Sequence, residues 1–176
     1  MDLRYPIGPF TMPKEPLTPE ERRRSIDQIA EASAKLREAV AGLSTRQLET
    51  PYRPDGWTVR QVAHHVPDSH INAYVRFKLA LTEDGPALQA YEESEWARLP
   101  DTTATPVDVS LVLLDSLHRR WVTLLRSLGE KDLLRTARHP SWGVVTVDSL
   151  LAQYAWHGRH HVAHITTLRE RMGWGE

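Results

Sequence analysis

Apolar residues recur at intervals of three and four along most of the chain, which is the spacing of helices that bury one face. The first such segment follows Thr18-Pro19-Glu20-Glu21, where threonine suits the N-cap, proline the first helical position and glutamate a capping box. Gly42 follows the segment. The pattern predicts a first helix over residues 19–41, preceded by an extended proline-rich strap over residues 5–17.

A second helix is predicted over residues 58–83, from a capping box at Thr58 to the Gly85-Pro86 break. Pro67 lies inside this segment and cannot donate a hydrogen bond to the Ala63 carbonyl, so we expect a kink or a local bulge after it. The alternative is a break at Pro67 into two separate helices.

Two further helices complete the pattern. The third opens after Thr105-Pro106 and ends before Gly129, and the fourth is capped by Thr146 and ends near Met172. No segment has a convincing strand pattern, although residues 139–145 can hold a short extended piece. The sequence therefore predicts an all-α fold, a four-helix bundle with a proline-rich N-terminal strap, forming one domain over residues 1–176.

Composition narrows the classes of function. The formal net charge of -1 creates no field that would attract nucleic acid or an anionic membrane. No apolar run approaches the roughly 18 residues of a membrane span, and the first residues do not resemble a signal peptide, which favours a cytoplasmic location. The chain has no cysteine, so disulfides and thiolate chemistry are excluded and a transition-metal site would have to use imidazole.

The fourth helix carries histidines where a bundle normally has leucine. The inward-facing positions are spaced four, three, four, three and four residues apart, and they are Leu150, Tyr154, His157, His161, His164 and Leu168. At about 100° per residue, these side chains fall within a sector of roughly 80°. Burying imidazoles without partners costs roughly 1–3 kcal/mol each, and a metal ion would offset that cost.

Helical geometry selects two ligands on the fourth helix. His157 and His161 are four residues apart, so their rings lie one above the other on the same face. His160 and His164 have the same spacing, but His160 lies about 60° from His157 and about 100° from His161, toward the edge of the seam. We therefore predict that His157 and His161 bind the metal.

The third ligand has to come from another helix, and the second helix offers three histidines. Relative to Val62, His65 is rotated by about 60° and borders the apolar face, whereas His64 is rotated by about 160° and points away. His70 lies about 80° away on the opposite border, but Pro67 makes any register extended past it unreliable. His65 is the predicted third ligand.

Short motifs along the whole chain carry a resemblance to a known family. They are Tyr5-Pro6-Ile7-Gly8, Pro51-Tyr52-Arg53, Gly56-Trp57-Thr58-Val59-Arg60-Gln61-Val62, His64-His65-Val66, Asp68-Ser69-His70, Arg76-Phe77-Lys78-Leu79, Trp156-His157, His160-His161, Ala163-His164-Ile165 and Met172-Gly173-Trp174. Together they resemble the YfiT-like family of metal-dependent hydrolases in the DinB-like superfamily, which is related to bacillithiol transferases.

The resemblance implies a four-helix bundle with a nickel- or zinc-type three-histidine site between helices, in a cytoplasmic homodimer. Carried over by position, the family's ligands fall on His65, His157 and His161. Pro67 is a departure, because relatives often have a small residue other than proline there, and this leaves the pose of His65 open.

Three histidines without a fourth protein ligand are typical of a catalytic zinc, with water in the remaining position. We expect one divalent metal per chain, zinc with nickel as the alternative. The first functional hypothesis is hydrolysis of a small molecule by a metal-activated water. The second, implied by the resemblance, is transfer of a low-molecular-weight thiol such as bacillithiol, and the third is metal binding without catalysis.

Other residues near the triad are candidates for supporting or substrate-binding roles, and the sequence assigns a catalytic role to none of them. Asp68 can orient an imidazole or be solvated, and Arg76 or Arg159 can bind a carboxylate or pair at the surface. His118 and His139 are interpreted as structural, and the tryptophans as core or strap anchors. The full set of candidates is Asp68, His70, Asn72, Arg76, Tyr154, Arg159, His160 and His164.

Overall fold

The computed structural model describes residues 2–175, which contain four long helices, four single-turn helices and one hairpin of two short strands. The long helices confirm the predicted all-α, four-helix bundle. The elements are α1 (Pro19–Val40), α2 (Thr45–Leu48), α3 (Val59–Thr82), α4 (Glu93–Trp96), α5 (Pro100–Ala104), α6 (Val107–Ser127), α7 (Glu130–Leu133), β1 (Thr136–His139), β2 (Gly143–Thr146) and α8 (Val147–Met172).

Side-chain caps fix where three of the long helices begin. Thr18, Thr58 and Thr146 each accept a hydrogen bond from the backbone N–H three residues later, and the side chain at that position returns a bond to the cap. These reciprocal bonds satisfy two of the backbone N–H groups that a helix start leaves without partners. At the other end of α8, Gly173 adopts a left-handed conformation with φ of 63°, which costs glycine little.

Cross-helix contacts define the topology of the bundle. Helices α1 and α8 run parallel, because Arg22 bonds to Asp148 near their starts and Arg169 bonds to the Ala39 carbonyl near their ends. Helices α3 and α6 are also parallel, since the contacts between α3 and α6 advance together from His64–Ser110 to His70–His118. Contacts between α3 and α8 run in opposite order, so these two helices are antiparallel.

Pro67 does not divide α3. The helix continues from Val59 to Thr82 with Pro67 buried inside it, so the alternative of two separate helices is wrong. His65 lies in the turn before the proline, and its position therefore follows from the capped start of the helix at Thr58. The segment predicted to hold an extended piece, residues 139–145, covers the turn and most of the second strand of a hairpin, in which β1 pairs antiparallel with β2 from Thr136↔Thr146 to His139↔Gly143.

The N-terminal strap lies over α8. Its last residue before the α1 cap, Leu17, donates its N–H to Asp148 at 2.6 Å. Farther along α8, Trp156 Nε1 donates to the Gly8 carbonyl at 3.2 Å. The strap therefore covers the outer side of the helix that carries more histidines than any other.

The apolar core consists of two clusters at opposite ends of the bundle. One contains Phe77, Trp121 and Leu151, and the other contains Val62 and Ile165. No helix within residues 2–175 combines the length and the apolar character needed to cross a membrane.

Candidate metal centre

Histidines fill the space between the two apolar clusters. On α6 and α8 they occupy the turns between residues of one cluster and residues of the other, as His70 does on α3, whereas His65 lies just before Val66 at the edge of the second cluster. We call this set the histidine layer, and its members are His65 and His70 on α3, His118 on α6, and His157 and His161 on α8. A polar layer in the middle of a helical core is costly unless its members have partners.

The three predicted ligands come together in this layer. His65, His157 and His161 each offer one ring nitrogen, and these nitrogens all lie within 4.8 Å of one another. The His65 and His157 Nε2 atoms are 3.3 Å apart. The ring centroids of His157 and His161, one turn apart on α8, are separated by 4.5 Å.

These distances suit one small metal ion. Two imidazole nitrogens at roughly 2.0–2.1 Å from a tetrahedral zinc are about 3.3 Å apart, and the His65 and His157 Nε2 atoms have that separation. All three donors are imidazoles, which zinc and nickel both accept. The group contains three side chains among the described residues, so a metal held there keeps a position open for another ligand.

Burial keeps these imidazoles in the neutral form that metals require. It lowers the pKa of His65 to about 4, with a smaller effect from the charge of His164. Burial also holds the pKa values of His157 and His161 well below the ordinary value of 6.5, and neighbouring histidines add to the effect. The lone pairs are therefore available near neutral pH without the loss of a proton.

His157 is held by hydrogen bonds at both ring nitrogens. Its Nδ1 lies 3.1 Å from His70 Nε2, and its Nε2 lies 3.3 Å from the Ser69 hydroxyl. His70 in turn contacts His118 Nε2 through its own Nδ1 at 2.7 Å. His118, which the sequence analysis treated as an ordinary structural residue, is therefore connected to a predicted ligand through His70.

His161 has no comparable support. Its Nδ1 is buried and has no hydrogen-bond partner among residues 2–175. His64 provides a contrast, because it is 5% exposed and its Nδ1 lies 2.7 Å from the Ser110 hydroxyl on α6. His64 does point away from the triad, as predicted, but it is buried against α6.

A tryptophan forms one wall of the site. The Trp57 ring centroid lies 4.7 Å from that of His65 and 6.4 Å from that of His161. The sequence analysis placed this residue in the core or under the strap. Its position in the loop just before the Thr58 cap brings it to the triad instead, and it shields the two imidazoles from solvent on that side.

The triad opens into a cavity of about 710 Å³. Aromatic and charged side chains surround its mouth. Those from the strap and the neighbouring loops are Arg4, Tyr5, Tyr52, Arg53, Asp55, Trp57, Glu93 and Arg98. Ligand pockets of small molecules are about 300–1,000 Å³, so the space above the histidines is large enough for such a substrate.

Several candidates from the sequence have other roles. Arg76 is buried and donates to the Tyr154 hydroxyl at 2.7 Å and to the Gln89 carbonyl, so its guanidinium is already bound within the protein. Arg159 donates to the Ala155 carbonyl in its own helix, and the Asn72 amide donates to the Asp68 carbonyl. None of these groups faces the triad as a substrate-binding residue.

Asp68 does not orient an imidazole. Within residues 2–175 its carboxylate has no hydrogen bond to a histidine, and only its backbone carbonyl accepts a bond, from Asn72. Partial burial, with a smaller contribution from the charge of Asp101, raises the pKa of Asp68 to about 6. The group that contacts the predicted ligand His157 is instead His70, two residues farther along α3.

His160 and His164 pack beside the triad on the strap side. The His160 ring stacks on Trp156 with centroids 4.2 Å apart, and the His164 ring stacks on Tyr52 at 4.0 Å. His164 Nε2 also lies 3.1 Å from the carbonyl of Arg4, just before the strap, and the His160 ring centroid lies 5.9 Å from that of Tyr5 in the strap. Both rings border the cavity, and these two contacts join the N-terminal segment to α8.

The chain is similar to known proteins along nearly its whole length. A Bacillus cereus protein named "Putative metal-dependent hydrolase" is 56% identical over 173 residues, 98% of this chain and 99% of that protein. A Bacillus anthracis protein of the same name is 55% identical over 173 residues, again 98% of this chain and 99% of that protein. These names attach metal-dependent hydrolysis to the relatives.

A solved structure agrees with the fold. YfiT from Bacillus subtilis, described as a probable metal-dependent hydrolase with an unusual four-helix bundle topology, is 45% identical with a TM-score of 0.95, covering 99% of this chain and 100% of that one. The family model described as "DinB superfamily" matches residues 28–165. Since that range includes all three histidines of the triad and most of the bundle, the chain belongs to the DinB superfamily.

Proposed function

We propose that this protein is a metal-dependent hydrolase of a small molecule, with one zinc or nickel ion held by His65, His157 and His161. The observation that carries the proposal is the group of three imidazole nitrogens within 4.8 Å of one another, at a cavity of about 710 Å³. The relatives named as metal-dependent hydrolases support the reaction class.

The donor set favours a catalytic site over a closed structural one, because structural zinc sites in proteins usually have four protein ligands. When bound, a divalent metal supplies Lewis-acid chemistry by lowering the pKa of a coordinated water and polarising the electrophilic group of the substrate. His65, His157 and His161 provide the neutral lone pairs for that ion.

Neighbouring residues prepare the site for this chemistry. His70 contacts the His157 ring at Nδ1 and so restricts its rotation. The Ser69 hydroxyl, 3.3 Å from His157 Nε2, places a hydrogen-bond donor at the edge of the triad. Trp57 covers one side of His65, which limits solvent access from that direction.

The first test combines metal analysis with turnover. The purified protein is expected to contain about one zinc or nickel per chain, as a three-histidine site requires. Chromogenic esters and amides are then assayed before and after chelation, with metal returned, and with and without an added low-molecular-weight thiol. We expect hydrolysis that needs the metal and does not need the thiol.

Two variants make the test specific to the triad. His161→Ala is expected to lose both the bound metal and the turnover while remaining folded by circular dichroism. The control is His139→Ala, since His139 stacks on Trp142 in the hairpin, away from the cavity, and it should retain both properties.

Each other result contradicts hydrolysis in a distinct way. Turnover only in the presence of thiol would assign the site to a thiol S-transferase. Stoichiometric metal whose removal unfolds the bundle, without turnover, would assign a structural role. A parent protein without stoichiometric metal would overturn the proposal altogether.

A further inference from the structure

Three buried imidazoles form a continuous row from the triad to α6. His157 Nδ1 lies 3.1 Å from His70 Nε2, and His70 Nδ1 lies 2.7 Å from His118 Nε2. His70 is fully buried and His118 is 2% exposed. The row uses one nitrogen of His157, both nitrogens of His70 and one nitrogen of His118. Which nitrogen of a ring carries the hydrogen therefore depends on which nitrogen carries it in the neighbouring ring.

The row is built for neutral rings. His70 is fully buried between two other imidazoles, and no carboxylate among residues 2–175 is hydrogen-bonded to it, so a charged ring there would be costly. Burial lowers the pKa of His118 to about 4, while the Asp115 carboxylate and the Ile29 carbonyl act in the opposite direction. A neutral imidazole carries one hydrogen, on either Nδ1 or Nε2. Each hydrogen bond in the row therefore needs a hydrogen from one ring and a lone pair from the next.

Only two arrangements of hydrogens satisfy both bonds. In the first, every ring carries its hydrogen on Nδ1, so that His157 donates to His70 and His70 donates to His118. In the second, every ring carries its hydrogen on Nε2, and the direction of donation reverses. The second arrangement puts a hydrogen on His157 Nε2, which is the nitrogen 3.3 Å from His65 Nε2, where a metal needs a lone pair.

We propose that His70 and His118 are positioning residues for the metal centre, which together hold the hydrogen of His157 on Nδ1 and leave its Nε2 free for the metal. This inference rests on the proposed function, because it gives the row a purpose only if His157 is a ligand. Donation from a ligating histidine to an acceptor behind it fixes the tautomer and raises the basicity of the ligand.

The far end of the row fits the first arrangement. His118 Nε2 contacts His70 in either arrangement, so the two arrangements differ in whether His118 Nδ1 carries a hydrogen or a lone pair. The polar groups that act on this ring from its own turn of α6 and from α1 are the Asp115 carboxylate and the Ile29 carbonyl. Both are acceptors. Neither makes a hydrogen bond to His118 Nδ1 in the structure, but negative oxygen atoms near the ring favour a hydrogen on Nδ1 over a lone pair there.

Substitutions at His118 test the row while both the predicted ligand His157 and its neighbour His70 keep their own side chains. His118→Leu removes the acceptor for His70, whereas His118→Gln can return an amide oxygen near the former Nε2 position. We expect His118→Leu to raise the zinc Kd by about tenfold, at the lower end of effects measured for residues behind metal ligands. His118→Gln should recover most of the lost affinity, which a purely structural role would not predict.

The matched control is His64→Leu. His64 is also buried, lies on α3 next to the ligand His65, and bonds to α6 through Ser110, but it is not part of the row. We expect this variant to unfold at lower urea concentration and to bind zinc with the Kd of the parent.

Nitrogen-15 NMR of the zinc-bound parent shows directly which ring nitrogen of each histidine carries the hydrogen. It does not depend on whether a variant folds. The inference expects His70, His118 and His157 all to carry hydrogen on Nδ1. If the parent binds zinc but His70 carries its hydrogen on Nε2, or if His118→Leu keeps the parental Kd, the inference is wrong and the proposed function stands. If the parent binds neither zinc nor nickel, the proposed function fails and the inference with it.

Discussion

Replacing Asp148 tests how the strap that forms part of the cavity wall is fixed to the bundle. Asp148 is 1% exposed and accepts hydrogen bonds from the Leu17 N–H at 2.6 Å and from Arg22 Nε at 2.8 Å. The Arg22 side chain is 14% exposed. Asp148→Ala therefore leaves a largely buried guanidinium and a backbone N–H without their acceptor.

The size of the effect follows from this burial. Removing one partner of a buried ion pair costs about 3–5 kcal/mol, and the remaining exposure of Arg22 favours the lower end, about 3 kcal/mol. For a chain of 176 residues, each kcal/mol lowers Tm by roughly 2–4 °C, so we expect Tm to fall by about 6–12 °C.

The chain contains a matched exposed pair for the control. Arg126 and Asp27 are 3.2 Å apart with both side chains 61% exposed, and exposed pairs contribute about 0–1 kcal/mol. Asp27→Ala should therefore unfold almost as the parent does in urea. A second readout is hydrogen exchange at the Leu17 amide, which should become fast in Asp148→Ala. An Asp148→Ala protein as stable as Asp27→Ala, with the Leu17 amide still protected, would refute the argument.

Three further predictions concern the histidine layer. The His118 pKa is lowered to about 4 from the ordinary 6.5, so the unfolded chain binds more protons in this range and the metal-free protein loses stability as pH falls from 6.5 toward 4. At pH 5 His118 accounts for about 2 kcal/mol of that loss. The unfolding free energy measured in urea should therefore depend less on pH in His118→Leu than in the parent, and an equal dependence would contradict this prediction. A Cβ at Gly158 would lie 3.1 Å from the Ala32 Cβ and 3.6 Å from His70 Cε1, so Gly158→Val should lower the unfolding free energy by about 1–3 kcal/mol; a neutral result in urea would show that α1 and α8 can separate freely there. Zinc at about 100 times its Kd should raise the unfolding free energy by about 2.7 kcal/mol, and an unchanged Tm on zinc addition would mean that the folded state does not bind it selectively.

The four long helices could be predicted because each shows a helical period and because short motifs of neighbouring residues mark where most of them begin. Each capping box at Thr18 and Thr58 occupies four consecutive residues, and its bonds form as expected. The single-turn helices and the hairpin were not predicted as such, because an element of four residues is too short to show a hydrophobic period. The homodimer, the cytoplasmic location and the single domain over residues 1–176 stay predictions.

The triad and the candidate His70 could be selected from the sequence, but the contact of His70 with His118 could not. His157 and His161 share a face of one helix, so their proximity follows from a spacing of four. His118 meets His70 because α3 and α6 pack together at that level, and the hydrophobic period along one helix contains no information about which residues of another helix it meets. His64 shows the same limit, because a helix packed on two sides buries more than one face.

The energetic cost of burying histidines in the middle of the bundle indicates that this layer serves a function other than packing. Leucines at these positions would join the two apolar clusters into one core, and each would contribute about 1.5–3 kcal/mol on full burial. The imidazoles instead have pKa values lowered by burial, and His161 Nδ1 and His118 Nδ1 are buried without hydrogen-bond partners among residues 2–175. A layer kept only for packing would be expected to pair these atoms or replace them. Other buried polar atoms without partners in the described part of the chain lie outside the layer, among them His64 Nε2 and Trp121 Nε1. The two within the layer belong to a predicted ligand and to the last ring of the row, which is the structure that metal binding would organise.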